Sequence, residues 1–403
     1  MGGSYKVVVT IFALCFHGIR FKVKKMKGRR DDGPSFFSWL FRGKGVTLAN
    51  LNEESMDATN VLTIGIDCRV VHGGVAAVED AYKAFYHPFN HVATVVDYGQ
   101  ARKLWTACKA LVSFLGWMAF RKEIRIVHVH GASYASFYRK RVFIRIAKAF
   151  GKKVVYHVHG AEFRLFAESH PKAVAKTLRR CDCIVALGDA WKQWFEQTFS
   201  HPNVQVIKNI VPLPSYNPKR PKGRPFTMLY LGRIGQRKGF FDLIDVLAEI
   251  KAESGCKVQL LFGGDGEVEK ALELIHEKGL DDCAHFQGWV SGAQKADLLN
   301  AADAYVLPSY NEGLPISILE AMSYRLPVVS TAVGSIPEIV KPGENGFVIT
   351  PGDKAALKRS LLALIADLDL CQRMGARSYE LVQDNLPSHV EHQLEALYRS
   401  LLG

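Results

Sequence analysis

From residue 61 onward the chain alternates two kinds of hydrophobic pattern. Short apolar runs such as Val61–Ile66, Cys183–Leu187 and Ala304–Leu307 are each followed by a longer segment whose apolar positions recur every three to four residues. The first kind is what a strand buried on both faces looks like, and the second is an amphipathic helix. The expected strands of the front half are Val61–Ile66, His91–Asp97, Arg125–Val129, Lys153–His157, Cys183–Leu187 and Val204–Ile207. Those of the rear half are Met228–Leu231, Val258–Phe262, His285–Gln287, Ala304–Leu307, Val328–Ser330 and Phe347–Ile349. Strand and helix in strict alternation predict an α/β protein with two doubly wound, Rossmann-like parallel sheets.

Pro212, Pro214, Pro218, Pro221 and Pro225 punctuate a stiff passage where the boundary between the halves is expected. The resulting division is a front domain over 59–212, a rear domain over 213–386, and a last helical segment over 387–403. Residues 1–58 read differently. Val7–Phe16 is apolar for only about ten residues, where crossing a bilayer takes about 20, and the basic run Lys22–Arg30 follows it. This segment is expected to be an extension without a catalytic role, disordered or weakly touching a membrane.

Composition narrows the class. A chain of 403 residues that is 48% apolar is globular and long enough for two or three domains. Its eight cysteines form no C-x-x-C pair, so reduced thiols are expected rather than a disulfide framework or a zinc site. The net charge of +13 is uneven: residues 1–212 carry 32 Lys and Arg against 15 Asp and Glu, a net +17, and the remainder a net −4. A basic front half points to an anionic partner, either a lipid-phosphate acceptor, an anionic leaflet or nucleic acid. No recognised nucleic-acid module accompanies the charge, which sets the last aside. The helix expected over Ser136–Phe150 interleaves Arg139, Lys140, Arg141, Arg145 and Lys148 with apolar residues. Beside the apolar Trp105–Phe120 it reads either as a membrane-facing surface or as ordinary cover for a sheet.

The richest stretch is Pro308–Pro327, where a strand leads into P-S-Y-N-E-G-L-P-I-S and then a helix. Glu312 lies in the turn and Glu320 inside the helix. Gly313 lets the backbone approach a ligand, Pro315 suits a first helical position, and the free N–H groups around Leu314–Ile316 face the carboxyl edge of the sheet. Upstream, Leu231-Gly232-Arg233 leaves a strand and Lys238-Gly239 opens a helix. Gly232 leaves room for a ligand, Arg233 offers a planar fork and Lys238 a point charge, the equipment a diphosphate needs. Arg237 is expected to be solvated. Gly73-Gly74 after the first strand is a second close-approach turn. His128-Val-His130-Gly131 and His157-Val-His159-Gly160 repeat one motif, placing both histidines of each copy on one strand face. A zinc site there lacks acidic or cysteine partners at metal spacing, and no metal is expected.

Taken in order, these motifs resemble the retaining GT-B glycosyltransferases of family 4, over residues 61–403. The resemblance implies two Rossmann-like domains facing across a cleft and transfer of a sugar from a nucleoside diphosphate, UDP or GDP, with retention and without a metal or other cofactor. It implies that Arg233 and Lys238 bind the diphosphate, Glu320 the ribose and Glu312 the donor sugar, and that Val290 meets the base through its backbone. His159 would contact a sugar hydroxyl, and Gly73-Gly74 would admit diphosphate and acceptor. The last helix would return to the first domain. Asn209-Ile210 replaces the family's usual Asn-Gly. A sugar or lipid-linked acceptor in polysaccharide, lipopolysaccharide or glycolipid assembly follows, with a cytoplasmic location, peripheral on the inner face of the plasma membrane where the front half touches lipid. A sugar-nucleotide epimerase and a non-catalytic sugar-nucleotide-binding protein remain the alternatives.

Overall fold

The computed structural model describes residues 56–67, 74–94, 100–160, 162–218, 223–254 and 258–403, and residues 55–403 cluster as one compact unit. The folded part opens earlier than the sequence reading placed it. Strand β1 (Met56–Asp57) is followed by β2 (Val61–Gly65), and β1 pairs in parallel with β3 (Tyr86–His87). Met56 and Ala58 are buried, so residues 56–58 belong to the domain and not to an extension ending at 58. The rest of that segment, with its called disorder or membrane contact, lies outside the described residues.

The front domain continues through β4 (His91–Ala93), β5 (Ile126–Gly131), β6 (Lys153–Val158), β7 (Cys183–Ala186) and β8 (Val204–Val206). The rear domain holds β9 (Phe226–Leu231), β10 (Val258–Gly263), β11 (Ala284–Phe286), β12 (Ala304–Leu307), β13 (Val328–Thr331) and β14 (Gly346–Ile349). Each domain is a six-stranded sheet, ordered β4-β2-β5-β6-β7-β8 in front and β11-β10-β9-β12-β13-β14 behind. Every pairing is parallel. β4 is shorter than the expected His91–Asp97, and residues 95–97 are outside the described set. In the rear sheet the chain runs outward from β9 to β11, then restarts beside β9 with β12. Between those two strands the helices leave on opposite faces, and a crevice opens past their carboxyl ends. The front sheet has the same reversal between β2 and β5.

Burial explains the composition of the strands. β2, β5 and β9 are buried along their whole length because helices cover both faces. One core lines one face of the front sheet and runs on through the rear domain, and a second fills the other front face. The last helix, Pro387–Leu402, joins the first core through Val390, Leu394, Leu397, Tyr398 and Leu401. Its Tyr398 hydroxyl bonds to Tyr86 at 2.5 Å and to Nδ1 of His128, which anchors it under the front sheet.

The two H-V-H-G copies lie on the paired strands β5 and β6 and build a column of imidazoles. His128 and His157 share a hydrogen bond of 3.3 Å, and His130 and His159 one of 2.8 Å. Burial above all holds all four neutral: His128 and His159 fall to about 3, His130 and His157 well below the usual range. Neighbouring histidines repel charge at His128, His130 and His157, and Lys140 does so at His159 against a bond to Asn209. Nitrogens of His128, His130 and His157 come within 4.8 Å of one another. The His128 and His130 rings are stacked at 11°, however, so their in-plane lone pairs run side by side instead of converging on an ion. Hydrogen bonds join the column in two pairs, and His130 Nε2 and His157 Nε2 are buried without a hydrogen-bond partner.

Two consequences can be measured. In the unfolded chain these imidazoles titrate near 6.5, so between about pH 3 and 6.5 the unfolded state binds more protons, and stability rises with pH by about 1.4 kcal/mol per pH unit for each histidine. Calorimetry should therefore show Tm climbing steeply from pH 5 to 7; a flat profile would mean the histidines are solvated. Separately, Gly239 has φ +68°, and a Cβ there would lie 2.0 Å from the carbonyl oxygen of Pro308. Gly239→Ala should cost about 2–4 kcal/mol through overpacking and backbone strain, lowering Tm by roughly 5–10 °C. An unchanged Tm would show that the two switch-point loops are not packed against each other.

Candidate active site

The two switch points face one another across a cleft of about 950 Å³. Every described member of the expected set lines it: His159 and Gly74 from the front domain, and from the rear Gly232, Arg233, Lys238, Val290, Glu312, Gly313, Leu314, Pro315, Ile316 and Glu320. Gly73 lies outside the described residues. Gly74 begins helix Gly74–Phe85, and a Cβ at that position would sit 3.7 Å from Ile316 Cδ1, so the two domains nearly touch there.

The rear wall is built by the loops after β9 and β12. The chain leaves β9 at Gly232, makes a short 3₁₀ turn over Gln236–Lys238, and enters helix Phe240–Ser254. Lys238 is thereby delivered to Glu312, with which it forms an ion pair; Glu312 also accepts a hydrogen bond from Ser309 Oγ at 2.7 Å. The Glu312 side chain is only 7% exposed, so its partner is this ammonium and not water. Arg233 reaches Asp265 at 3.5 Å in an exposed pair that constrains it little. Arg237 is exposed, as its sequence suggests, yet it also borders the cleft and donates to the Asn311 carbonyl at 3.3 Å. Pro315 departs from its expected place. It is the cap residue, with extended backbone at φ −67° and ψ 120°, and helix Ile316–Ser323 starts one residue later. The pyrrolidine ring fixes φ there without forcing the helical ψ, so the free N–H groups begin at Ile316.

Glu320 is the fifth residue of that helix and is buried. Its partner escaped the sequence reading. Lys295, on helix Gly292–Ala301, donates to Glu320 Oε1 at 2.5 Å. A lysine in the first turn of a helix opposes the macrodipole, and that misfit is a signal the sequence does carry. Trp289 stands half exposed beside Val290 at the same end of the cleft, and the glycine turn Gly263-Gly264 forms its floor.

Two contacts that no motif suggested join the domains. Asn209 donates from Nδ2 to the Leu314 carbonyl at 2.8 Å, tying the front domain to the loop after β12 while its amide abuts His159. Glu338 accepts from the N–H groups of Asp189 and Ala190 at 3.0 and 3.2 Å, capping a front-domain helix with a rear-domain carboxylate. Gly188 makes room for it, since a Cβ would lie 2.2 Å from Glu338 Oε2. Lys140 also differs from expectation. It leaves the basic face of its helix, goes fully inside, and donates to the Ile64 and Gly65 carbonyls at 3.0 and 2.9 Å. Burial lowers its pKa to about 7, against the pull of Glu79.

Comparison with known proteins agrees with this geometry. The Glycosyltransferase Family 4 model matches residues 65–213, and the Glycosyl transferases group 1 model matches residues 216–381. The chain is 29% identical over 209 residues to the lipopolysaccharide core biosynthesis glycosyltransferase LpsE of Rhizobium meliloti, covering 50% of this chain and 59% of that protein. It spans just over half the length of several curated relatives it matches. Among solved structures, sucrose-phosphate synthase from Thermosynechococcus elongatus aligns with a TM-score of 0.70 at 22% identity, over 85% of this chain and 98% of that one. Anabaena HepE in complex with UDP and glucose aligns with a TM-score of 0.66 at 18% identity, over 84% and 99%. With a family 4 front domain and a group 1 rear domain facing across the cleft, the chain belongs to the GT-B glycosyltransferases of that family.

Proposed function

We propose that this protein transfers a sugar from a nucleoside-diphosphate donor, UDP or GDP, to an acceptor hydroxyl with retention of anomeric configuration. The observation that carries the reading is the rear wall: Arg233, Lys238, Glu312 and Glu320 line one crevice at the switch point, beside the N–H groups at the start of helix Ile316–Ser323. The diphosphate lies against Arg233, Lys238 and those N–H groups, which meet the negative charge that grows as the leaving group departs. Glu320 accepts from the ribose hydroxyls, Val290 and Trp289 face the base, and Glu312, held by Lys238, faces the sugar. His159, kept neutral by burial, offers a hydrogen bond to the sugar from the front wall. The acceptor oxygen forms its bond to the anomeric carbon as the bond to the diphosphate breaks, and the acceptor proton passes to a phosphate oxygen of the leaving group. Approach of the two domains excludes water, so that transfer outruns hydrolysis.

LpsE is a lipopolysaccharide core biosynthesis enzyme by name, and the HepE structure carries UDP and glucose. Both support an acceptor in polysaccharide or lipopolysaccharide assembly and a donor of the UDP class. An acceptor of that kind is presented at a membrane, and the front domain has a surface suited to meeting one. Helices Gln100–Phe120 and Tyr134–Ala149 pack side by side through Phe114 and Phe143. They leave Trp105, Val112, Phe120, Tyr138 and Val142 exposed near Arg145. Among the described residues no helix is long and apolar enough to cross a membrane, so attachment would be peripheral, through apolar side chains and basic charge together.

A thermal-shift panel of UDP-, GDP- and ADP-sugars should raise Tm with one nucleotide class; a ligand at 100 times its Kd adds about 2.7 kcal/mol. Because the Arg233 side chain is exposed, Arg233→Ala should fold normally yet lose about 10²–10³ in kcat. No shift with any donor, or full activity without Arg233, would remove the reading. For the surface, sedimentation with vesicles containing anionic phospholipid should carry the protein down. Pure phosphatidylcholine should not, and Trp105→Ser with Phe120→Ser should release it. Equal recovery with both vesicle types would refute peripheral attachment by charge.

A further inference from the structure

Lys295 is the feature of the cleft that the proposed chemistry leaves without a task. It does not belong to the loop that carries Arg233 and Lys238; it comes from a different helix, and its ammonium is directed at Glu320, 2.5 Å away. The Glu320 side chain is 12% exposed and that of Lys295 29%, so the pair sits mostly out of water. Around it stand Trp289, Val290, Ser291 and Gly292, the end of the cleft assigned to the nucleoside.

We infer that Lys295 is a positioning residue for nucleoside recognition: it holds the Glu320 carboxylate oriented so that both hydroxyls of a ribose can donate to it. The inference rests on the nucleotide-sugar reading and deepens it. A carboxylate this far from water is costly and free to turn unless a cation stands beside it. Held in place, it accepts two charge-assisted bonds, each roughly twice as strong as a neutral one. One Oε1 contact with Lys295 leaves lone pairs on both oxygens for the ribose. A lysine in the first turn of helix Gly292–Ala301 costs that helix some stability, and supporting Glu320 gives the position a reason.

The discriminating probes are UDP and 2′,3′-dideoxy-UDP, or the GDP pair if the protein prefers guanine, measured by titration calorimetry. Wild-type protein should bind the ribonucleotide about tenfold or more tightly than its dideoxy analogue, as expected for hydrogen bonds to a charged group. Lys295→Met should bring ribonucleotide affinity down to near that of the analogue and leave the analogue's own affinity unchanged. Lys295→Arg should restore the preference, and adding Lys295→Met to Glu320→Gln should cause no further loss. If Lys295→Met weakens both ligands equally, Lys295 contacts phosphate or base directly and the inference fails. It fails also if the preference for ribose survives in Lys295→Met. Wild-type protein that binds UDP, GDP and ADP alike not at all would instead overturn the nucleotide-sugar reading, and this inference with it.

Discussion

A carboxylate sunk in a protein wall is costly unless a cation stands beside it, and the cleft of this protein is organised around two such pairs. Lys238 with Glu312, and Lys295 with Glu320, set both carboxylates of the central stretch against lysines that arrive from other elements. Each pair is a contact between segments distant in sequence, 74 residues apart in one case and 25 in the other. The loop after β9 must therefore meet the loop after β12 for the first pair to form, and helix Gly292–Ala301 must lie against helix Ile316–Ser323 for the second. Gly239 allows that meeting, because its positive φ and missing Cβ let the helix start lie directly against the Pro308 carbonyl. The folding of the rear domain and the chemistry of its wall thus depend on the same few ångströms.

The front wall obeys the opposite rule. Its four histidines are kept neutral by burial, and hydrogen bonds join them in two pairs. His159 faces the cleft, its Nε2 is 2.8 Å from His130 Nδ1, and the stack continues to His128, whose far side meets Tyr398 of the last helix. A neutral imidazole can give a directional hydrogen bond without adding positive charge. On the function proposed above, the two walls would divide the electrostatic work: charge for the leaving group, dipoles for the sugar ring.

Much of this was legible in the sequence, for reasons that can be named. The strands of both sheets are short, apolar and bounded by turn residues, so Ala304–Leu307 appears with the bounds it has in the structure and most of the others within a residue or two. The site residues of the rear domain were legible because loops at a switch point carry their chemistry in contiguous words, such as the stretch around Glu312. Pro315 was misplaced by one residue because proline serves equally as a cap and as a first helical residue. Lys140 was misread because a helical pattern gives its face but not the two strand-end carbonyls waiting beneath it. Lys295, Asn209 and Glu338 were missed for a common reason. Their partners lie in other elements or the other domain, and periodicity carries no information about such pairs.

Asn209 shows what the departure from Asn-Gly accomplishes. With Ile210 after it, the turn leaving β8 is buried: Ile210 and Val211 enter the core, and the backbone is fixed by Val211 N–H donating to the Asn385 carbonyl at 3.0 Å. Asn385 Nδ2 in turn donates to the Asn209 carbonyl at 2.7 Å. A glycine there would leave this junction freer to bend, whereas isoleucine anchors it from both the core and the segment before the last helix. Asn209 is thereby held so that one end of its amide meets Leu314 in the rear loop and the other faces His159 in front. This one amide thus touches both walls of the cleft at once, and the buried turn that carries it is fixed by the core and by Asn385.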